Sequence, residues 1–91
     1  KDYKMAFKWL GLAAEQGDAN AQDNLGDMYA KGQGVIQDYV YAHMWWNIAA
    51  SSGDKDAVKY RDFLAGILTP AQIAKAQDLA RECVAKNYKG C

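Results

Sequence analysis

Polar and apolar positions in the first eighteen residues of the chain return 36 residues further on. Residues 2–18 read DYKMAFKWLGLAAEQGD, and residues 38–54 read DYVYAHMWWNIAASSGD. Nine pairs of positions are identical at this offset: Asp2/Asp38, Tyr3/Tyr39, Ala6/Ala42, Trp9/Trp45, Ala13/Ala49, Ala14/Ala50, Gly17/Gly53, Asp18/Asp54 and Ala21/Ala57. A recurrence at roughly 20 to 50 residues is typical of stacked-repeat proteins, whose units bury their apolar faces against one another.

Apolar residues also recur every three or four positions within five segments, which is the spacing of one face of an α-helix. The buried faces expected from this spacing are, in chain order, Ala6, Trp9, Leu10, Ala13 and Ala14; Ala21, Leu25, Met28 and Tyr29; Ala42, Trp45, Trp46, Ala49 and Ala50; Ala57, Tyr60, Leu64, Ile67 and Leu68; and Ile73, Ala76, Ala80, Cys83 and Val84. The sequence therefore predicts an all-α fold with five helices.

Capping residues and glycines indicate where these helices begin and end. The expected N-caps are Asp18 or Asn20, then Asp38, then Asp54 or Asp56, and the expected stops are Gly17, Gly32 and Gly53. Thr69-Pro70-Ala71-Gln72 has the form of a capping box with proline at the first helical position. Gly26 lies inside the second helix, where it costs about 1 kcal/mol relative to alanine. We interpret it as a place where the backbone of a neighbouring helix comes close.

The spaced residues resemble one family. The pattern Ala21-x3-Leu25-Gly26-x2-Tyr29-x2-Gly32-x-Gly34-Val35-x2-Asp38-x3-Ala42-x2-Trp45-x3-Ala49-Ala50-x2-Gly53-x3-Ala57 resembles the Sel-one-like repeat, a relative of the tetratricopeptide repeat. The resemblance implies an α/α superhelical solenoid of antiparallel helix pairs that serves as an adaptor for protein assembly, mostly in bacteria. It implies no chemical reaction and no cofactor.

On this basis we divide the chain into four parts. Residues 1–18 form the second half of one repeat, 19–53 a full repeat, 54–68 the first half of a drifted repeat, and 69–91 a C-terminal capping helix and tail. The drift is visible at Gly26 and Tyr29, whose counterparts are Asp62 and Ala65. Because the chain begins at Lys1 within a repeat, we expect it to be a fragment or a processed product. The outer side of its first helix, with Met5 and Leu12, is then expected to drive self-association.

Charge and hydropathy exclude two classes of partner. Eleven basic and eleven acidic residues give a formal net charge of zero, and no basic run of the kind that binds nucleic acid appears. No apolar run approaches the roughly 20 residues that cross a bilayer. We therefore predict a protein or peptide as the partner, with neither nucleic-acid binding nor membrane insertion.

The candidate binding residues lie on the second helix. Asn24, Asp27 and Lys31 recur at i, i+3 and i+7 beside its apolar face, where a groove of the tetratricopeptide kind would expose groups that bond a peptide. The alternative is an ordinary solvated face with a helical ion pair between Asp27 and Lys31. The sequence leaves both interpretations open.

Two other features have the residue types of catalytic or metal sites. Ser52-Gly53-Asp54-Lys55 spells Ser-x-x-Lys, the nucleophile and base spacing of penicillin-recognising enzymes. It spans a helix break, and the partner motifs of those enzymes are missing, so we judge it fortuitous. His43 is the single histidine, and no set of ligands at metal-binding spacing accompanies it. We expect no metal site and no catalytic residue.

The aromatic and sulfur residues have structural interpretations. Trp45 and Trp46 could stack on a ligand, but their repeat spacing favours core packing. Cys83 and Cys91 are candidates for a disulfide if the chain reverses at 87–90; the alternative is a buried thiol and a frayed terminal one. Paired cysteines in a small domain favour a periplasmic or secreted location.

The sequence thus leads to three hypotheses of function. The first is a non-enzymatic scaffold that binds a protein or peptide on the inner helix surface. The second is a hydrolase or β-lactam-binding protein that uses Ser52 and Lys55. The third is a purely structural end-cap of a longer array.

Overall fold

The predicted all-α architecture is confirmed by a computed structural model, in which residues 2–91 are described. Five helices follow one another, and residues 2–91 contain no strand. The helices are α1 (Tyr3–Glu15), α2 (Ala19–Lys31), α3 (Tyr39–Ser51), α4 (Lys55–Ala65) and α5 (Pro70–Ala85).

The repeat fixes the helix starts through identical caps. Asp2, Asp18, Asp38 and Asp54 each accept a hydrogen bond from the backbone N–H three residues further on, at 3.0 to 3.2 Å. Thr69 begins α5 with the expected capping box, in which the Thr69 and Gln72 side chains and backbone N–H groups bond reciprocally. The local chemistry of the sequence thus accounts for every helix start.

Helix α3 is the centre of the packing. It contacts α2, α4 and α5, while α1 packs on α2. Short loops join α1 to α4 in succession, so neighbouring helices run in opposite directions, as a helix-pair solenoid requires. Helix α5 departs from this order because it packs on α3 and scarcely touches α4.

Two apolar clusters lie on opposite sides of α3. The first contains Ala14, Ala21, Leu25, Met44, Trp45, Ile48, Ala80 and Cys83. The second contains Ala42, Trp46, Ala49, Ala57, Leu64 and Leu68. The two tryptophans are thus buried in different clusters, and each fills the space left by small residues on the facing helices.

Gly26 is explained by Trp46, although not in the way we expected. A Cβ at residue 26 would lie 2.5 Å from the indole nitrogen of Trp46, so any side chain there would displace the ring. The same nitrogen donates a hydrogen bond to the Asp23 carbonyl at 3.0 Å. The close neighbour is therefore an aromatic side chain of α3, and the expected helix-backbone contact is not the cause.

The prediction that Trp9 lies on a buried face is wrong. Trp9 is 59% exposed, whereas its counterpart Trp45 is 3% exposed. Trp45 belongs to the cluster formed with Ala14 of α1 and Leu25 of α2, but no helix among residues 2–91 covers the corresponding side of α1. Helical spacing places Trp9 on a face, and only a neighbouring helix can bury that face.

Three further expected core residues are also exposed. Tyr60, Ile67 and Val84 have exposures of 46%, 53% and 47%. Tyr60 lies on α4 and Ile67 in the turn that follows it, on a side that α5 leaves exposed because α5 packs mainly on α3. Val84 lies on the solvent side of α5. Helical spacing assigned these three residues to the core, but no neighbouring element among residues 2–91 buries them.

The C-terminal tail turns back across the molecule towards α1. Cys83 and Cys91 are joined in the structure, with their Cα atoms 5.6 Å apart. Lys89 donates from its Nζ to the Glu15 carbonyl at 3.2 Å, and the Gly90 N–H donates to a carboxylate oxygen of Glu15 at 3.3 Å. Tyr88 lies against Gly17. The tail thus connects α5 to the end of α1.

Candidate functional site

The three candidate binding residues line a groove between α1 and α2. Asn24, Asp27 and Lys31 lie along its α2 side, and we call them the polar row. The hollow has a volume of about 380 Å³, and its full lining is Asp2, Tyr3, Ala6, Leu10, Asn24, Asp27, Met28, Lys31 and Gln33. The structure therefore brings the three predicted residues together at one concave surface, next to apolar side chains of α1.

The packing of α2 explains why these polar groups face the solvent. Ala21, Leu25 and Met28 are buried, and Gly26 faces α3. Asn24, Asp27 and Lys31 occupy the remaining sector, at intervals of three and four residues, and so lie on one side of a rigid helix. Asparagine offers both donors and an acceptor, and the two charged residues offer one charge of each sign.

Asp27 and Lys31 also form the helical ion pair that the alternative interpretation expects. The Lys31 Nζ lies 3.1 Å from an Asp27 carboxylate oxygen, and both side chains remain about half exposed. An exposed pair of this kind stabilises a helix by about 0.3–0.5 kcal/mol. The pair is too weak to prevent either side chain from turning to a partner.

Acidic residues gather beside the polar row. Burial raises the pKa of Asp23 above its usual value, and repulsion from Asp54, Asp56 and Asp27 raises it further. Asp23 of α2 therefore lies near Asp54 and Asp56 at the start of α4. No group of three His, Cys, Asp or Glu side chains among residues 2–91 is arranged to hold a metal ion.

Sequence reasoning missed a second row, which lies on α4 and in the turn after it. Tyr60, Phe63 and Ile67 occupy the positions of Asn24, Asp27 and Lys31 at the offset of 36, and we call them the apolar row. Tyr60 packs on Trp46 with ring centroids 5.2 Å apart, and Phe63 is 70% exposed. Comparing the two copies position by position, and asking which changes fall outside the core, would have found this row.

Ser52 and Lys55 do not form the geometry of a nucleophile and its base. Ser52 is the C-cap of α3, Lys55 is the first residue of α4, and both are exposed. The Ser-x-x-Lys arrangement of acyl enzymes needs one helical turn to bring the amine to the hydroxyl. Here a cap and a positive-φ glycine separate the two residues, and Asp54 between them serves as the N-cap of α4.

His43 is buried inside the fold, on α3. It is 3% exposed, and its Nδ1 has no hydrogen-bond partner. Burial lowers the pKa of His43 below its usual value, the nearby Arg61 charge lowers it further, and Asp62 opposes this weakly. The imidazole is therefore neutral near pH 7 and is enclosed by core residues.

A further hollow of about 340 Å³ lies between α1 and the C-terminal tail. Its lining includes Phe7, Tyr29, Trp45 and Tyr88, and Cys91 closes one side. Three of these rings belong to residues that pack against the first apolar cluster. This hollow is a gap beside the aromatic packing, and Lys8 and Glu15 lie at its edge.

Comparisons with known proteins agree with the fold. The Sel1 repeat family model matches residues 1–18 and 19–54. The chitin synthase regulator SKT5 of Saccharomyces cerevisiae is 38% identical over 78 residues, which is 85% of this chain and 11% of that protein. The chain thus spans about a ninth of the length of this curated relative. No helix among residues 2–91 is both long enough and apolar enough to cross a membrane. Because the family model covers more than half of the residues, the chain belongs to the Sel1 repeat family.

Proposed function

We propose that this chain is a non-enzymatic scaffold that binds a protein or peptide in the groove between α1 and α2. Sel1 repeats generally mediate protein–protein interaction, and the proposal assigns that role to Asn24, Asp27 and Lys31. The observation that carries it is the groove itself, where these three side chains line one wall next to Tyr3, Ala6 and Leu10 of α1. Polar groups beside an apolar wall suit a peptide, which presents both kinds of surface.

The similarity to SKT5 supports a role without chemistry of its own. SKT5 is named as a regulator of an enzyme, chitin synthase. The chain covers a small part of it, so the target of that regulation does not transfer to this chain. What supports the proposal is that this relative is named as a regulator.

Partner capture followed by a binding measurement tests the proposal. The full-length protein is used to purify partners from its source cells, and the affinity of a purified partner is measured by calorimetry. Asn24→Ala with Asp27→Ala should weaken binding at least tenfold. Gln77→Ala with Glu82→Ala, an amide and an acid exposed on α5, is the matched control and should leave the affinity unchanged.

A structural end-cap is the second candidate function, and the packing of α5 favours it. Helix α5 lies on α3. The exposed side of α4 that carries Lys59 and Asp62, which we call its free edge, is charged, and a further repeat would not bury such residues. Terminal units of repeat arrays are atypical in this way. Unchanged partner binding in Asn24→Ala with Asp27→Ala would favour the end-cap over the scaffold.

A further inference from the structure

The apolar row remains largely exposed to solvent, although Tyr60 packs on Trp46. Tyr60, Phe63 and Ile67 have exposures of 46%, 70% and 53%, while Ala57 and Leu64 of the same helix are buried. At the same three positions of the repeat, α2 carries Asn24, Asp27 and Lys31 and still folds against its neighbours. The repeat therefore accepts polar residues here, and exposed apolar residues in a polar surround are typical of protein interaction sites.

At the offset of 36, the two rows occupy equivalent positions of the repeat. In α2, Met28 faces α1 and Gly26 faces α3, and the polar row lies between those two sides. In α4, Leu64 packs towards α3 as part of the second apolar cluster. Asp62, which is the counterpart of Gly26, is exposed. The apolar row therefore lies between the packed side and the free edge of α4. Successive units of a solenoid present such equivalent sectors to one continuous surface.

This surface also has a negative end. Asp54 and Asp56 belong to the start of α4, and they lie close enough to Asp23 of α2 to raise its pKa by repulsion, after the larger effect of burial. Lys55 and Lys59 are exposed on the same helix. Asp23 is only partly buried and Asp56 is exposed, so both carboxylates are accessible to a basic group on a partner.

We propose that α2 and α4 together bind a segment of another protein in which bulky apolar side chains adjoin a lysine or arginine. The apolar side chains cover the apolar row, and the basic side chain lies against Asp23 and Asp56. This inference rests on the proposed scaffold function and names the chemistry of its partner. Burial of three large apolar residues supplies the affinity, and the charge fixes the direction in which the segment lies.

Selection from a random peptide library tests the partner chemistry. The chain is immobilised, phage that display random 16-residue peptides are selected at roughly physiological salt, and the enriched peptides are synthesised for affinity measurement. The enriched sequences should combine bulky apolar residues with lysine or arginine. Phe63→Asp with Ile67→Lys, which copies the residues of α2 and leaves the net charge unchanged, should weaken binding at least tenfold.

Two further variants complete the design. Leu12→Asp replaces an equally accessible apolar residue on α1 and should leave the affinity unchanged. Asp56→Asn should weaken binding and reduce its dependence on salt, because it removes one of the acidic groups. Circular dichroism verifies that each variant folds, as expected for changes at exposed positions.

Each remaining outcome overturns the inference. Failure to enrich any peptide, enrichment without basic or without apolar residues, or unchanged affinity in Phe63→Asp with Ile67→Lys contradicts it. If that variant binds normally while Asn24→Ala with Asp27→Ala does not, the scaffold function stands and only the partner chemistry is wrong. If the chain dimerises and Phe63→Asp makes it monomeric, the row is covered by a second copy.

Discussion

Trp9 and Trp45 show how far burial can differ at equivalent positions of a repeat. Trp45 lies on α3 and is buried in a cluster with residues of α1 and α2. Trp9 lies on the solvent side of α1, and the Lys8 amine is 5.7 Å from the centre of its ring. Removing a buried tryptophan costs about 3–5 kcal/mol, whereas an exposed one is worth about 0.5 kcal/mol or less. The two residues therefore form a matched pair.

We predict that Trp45→Ala lowers the free energy of unfolding by about 3–5 kcal/mol, or abolishes folding, because it empties the first apolar cluster. Trp9→Ala should change it by about 0.5 kcal/mol at most. Urea unfolding followed by circular dichroism measures both. A stable Trp45→Ala protein that has lost partner binding would show instead that Trp45 contacts the partner.

His43 makes the fold sensitive to mild acid. Burial and the Arg61 charge lower the pKa of His43 in the folded chain, so the unfolded chain binds a proton more readily. The stabilisation is fully present above about pH 6.5, the pKa of an unfolded histidine, and is lost as the pH falls from there towards the lowered folded value.

We therefore predict that the free energy of unfolding decreases between about pH 7 and pH 5. His43→Gln should flatten this dependence, because glutamine fills a similar volume and does not titrate. Urea unfolding at several pH values measures the slope. An equal slope in the variant would assign the acid sensitivity to other groups, such as the carboxylates of the caps.

At the scale of elements, the helices were predictable and the burial of their faces was only partly so. Asp18, Asp38, Asp54 and Thr69 act through hydrogen bonds to residues three positions away, so the sequence alone contains that information. The exposure of Tyr60 depends on where α5 packs. That is a contact between distant parts of the chain, and helical periodicity does not contain it.

The candidate site was predictable to the same extent. The polar row could be chosen because the apolar positions of α2 leave one sector free, and helical geometry then brings Asn24, Asp27 and Lys31 together. The apolar row could not be chosen by periodicity, which assigned Tyr60 and Ile67 to the core. Whether an apolar residue faces a core or a partner depends on the neighbouring elements.

The tail after α5 provides a prediction about one short element. The bond between Cys83 and Cys91 closes a small loop at a sequence separation of 8, and the loop also positions Lys89 and Gly90 against Glu15. In the chain-entropy account, a loop of this size stabilises a fold by about 2–3 kcal/mol.

We predict that Cys91→Ser lowers the free energy of unfolding by about 2–3 kcal/mol and loosens the end of α1. Urea unfolding measures the first effect, and hydrogen exchange of the α1 amides measures the second. Cys91→Ser in the presence of a reductant should match the reduced parent chain. Two reactive thiols in the native, unreduced protein would contradict the bond.

At the scale of the whole molecule, two separate apolar surfaces face the solvent. One is the apolar row of α4, and the other lies on α1, where Met5, Trp9 and Leu12 have exposures of 48%, 59% and 47%. These residues lie on one side of α1. The equivalent side of α3 is covered by α1 and α2. We predict different roles for the two surfaces: the α1 surface suits another helix of the same kind, and the apolar row suits a partner.

We predict that the chain self-associates at high concentration through α1, because that surface is apolar and uncovered. Trp9→Lys should shift the chain to a monomer, while Phe63→Asp should leave the association unchanged. Multi-angle light scattering over a concentration series measures the mass. A single monomeric species at every concentration would contradict the prediction.

The central claim is that partners bind on the side of the molecule that carries the polar and apolar rows. Titration of the isotope-labelled chain with a selected peptide, followed by backbone amide chemical shifts, tests this most directly. The account predicts that the largest shift changes fall on Asn24, Asp27 and Lys31 and on Tyr60, Phe63 and Ile67, with little change along α5. Shift changes confined to α5 or to the exposed side of α1 would contradict it.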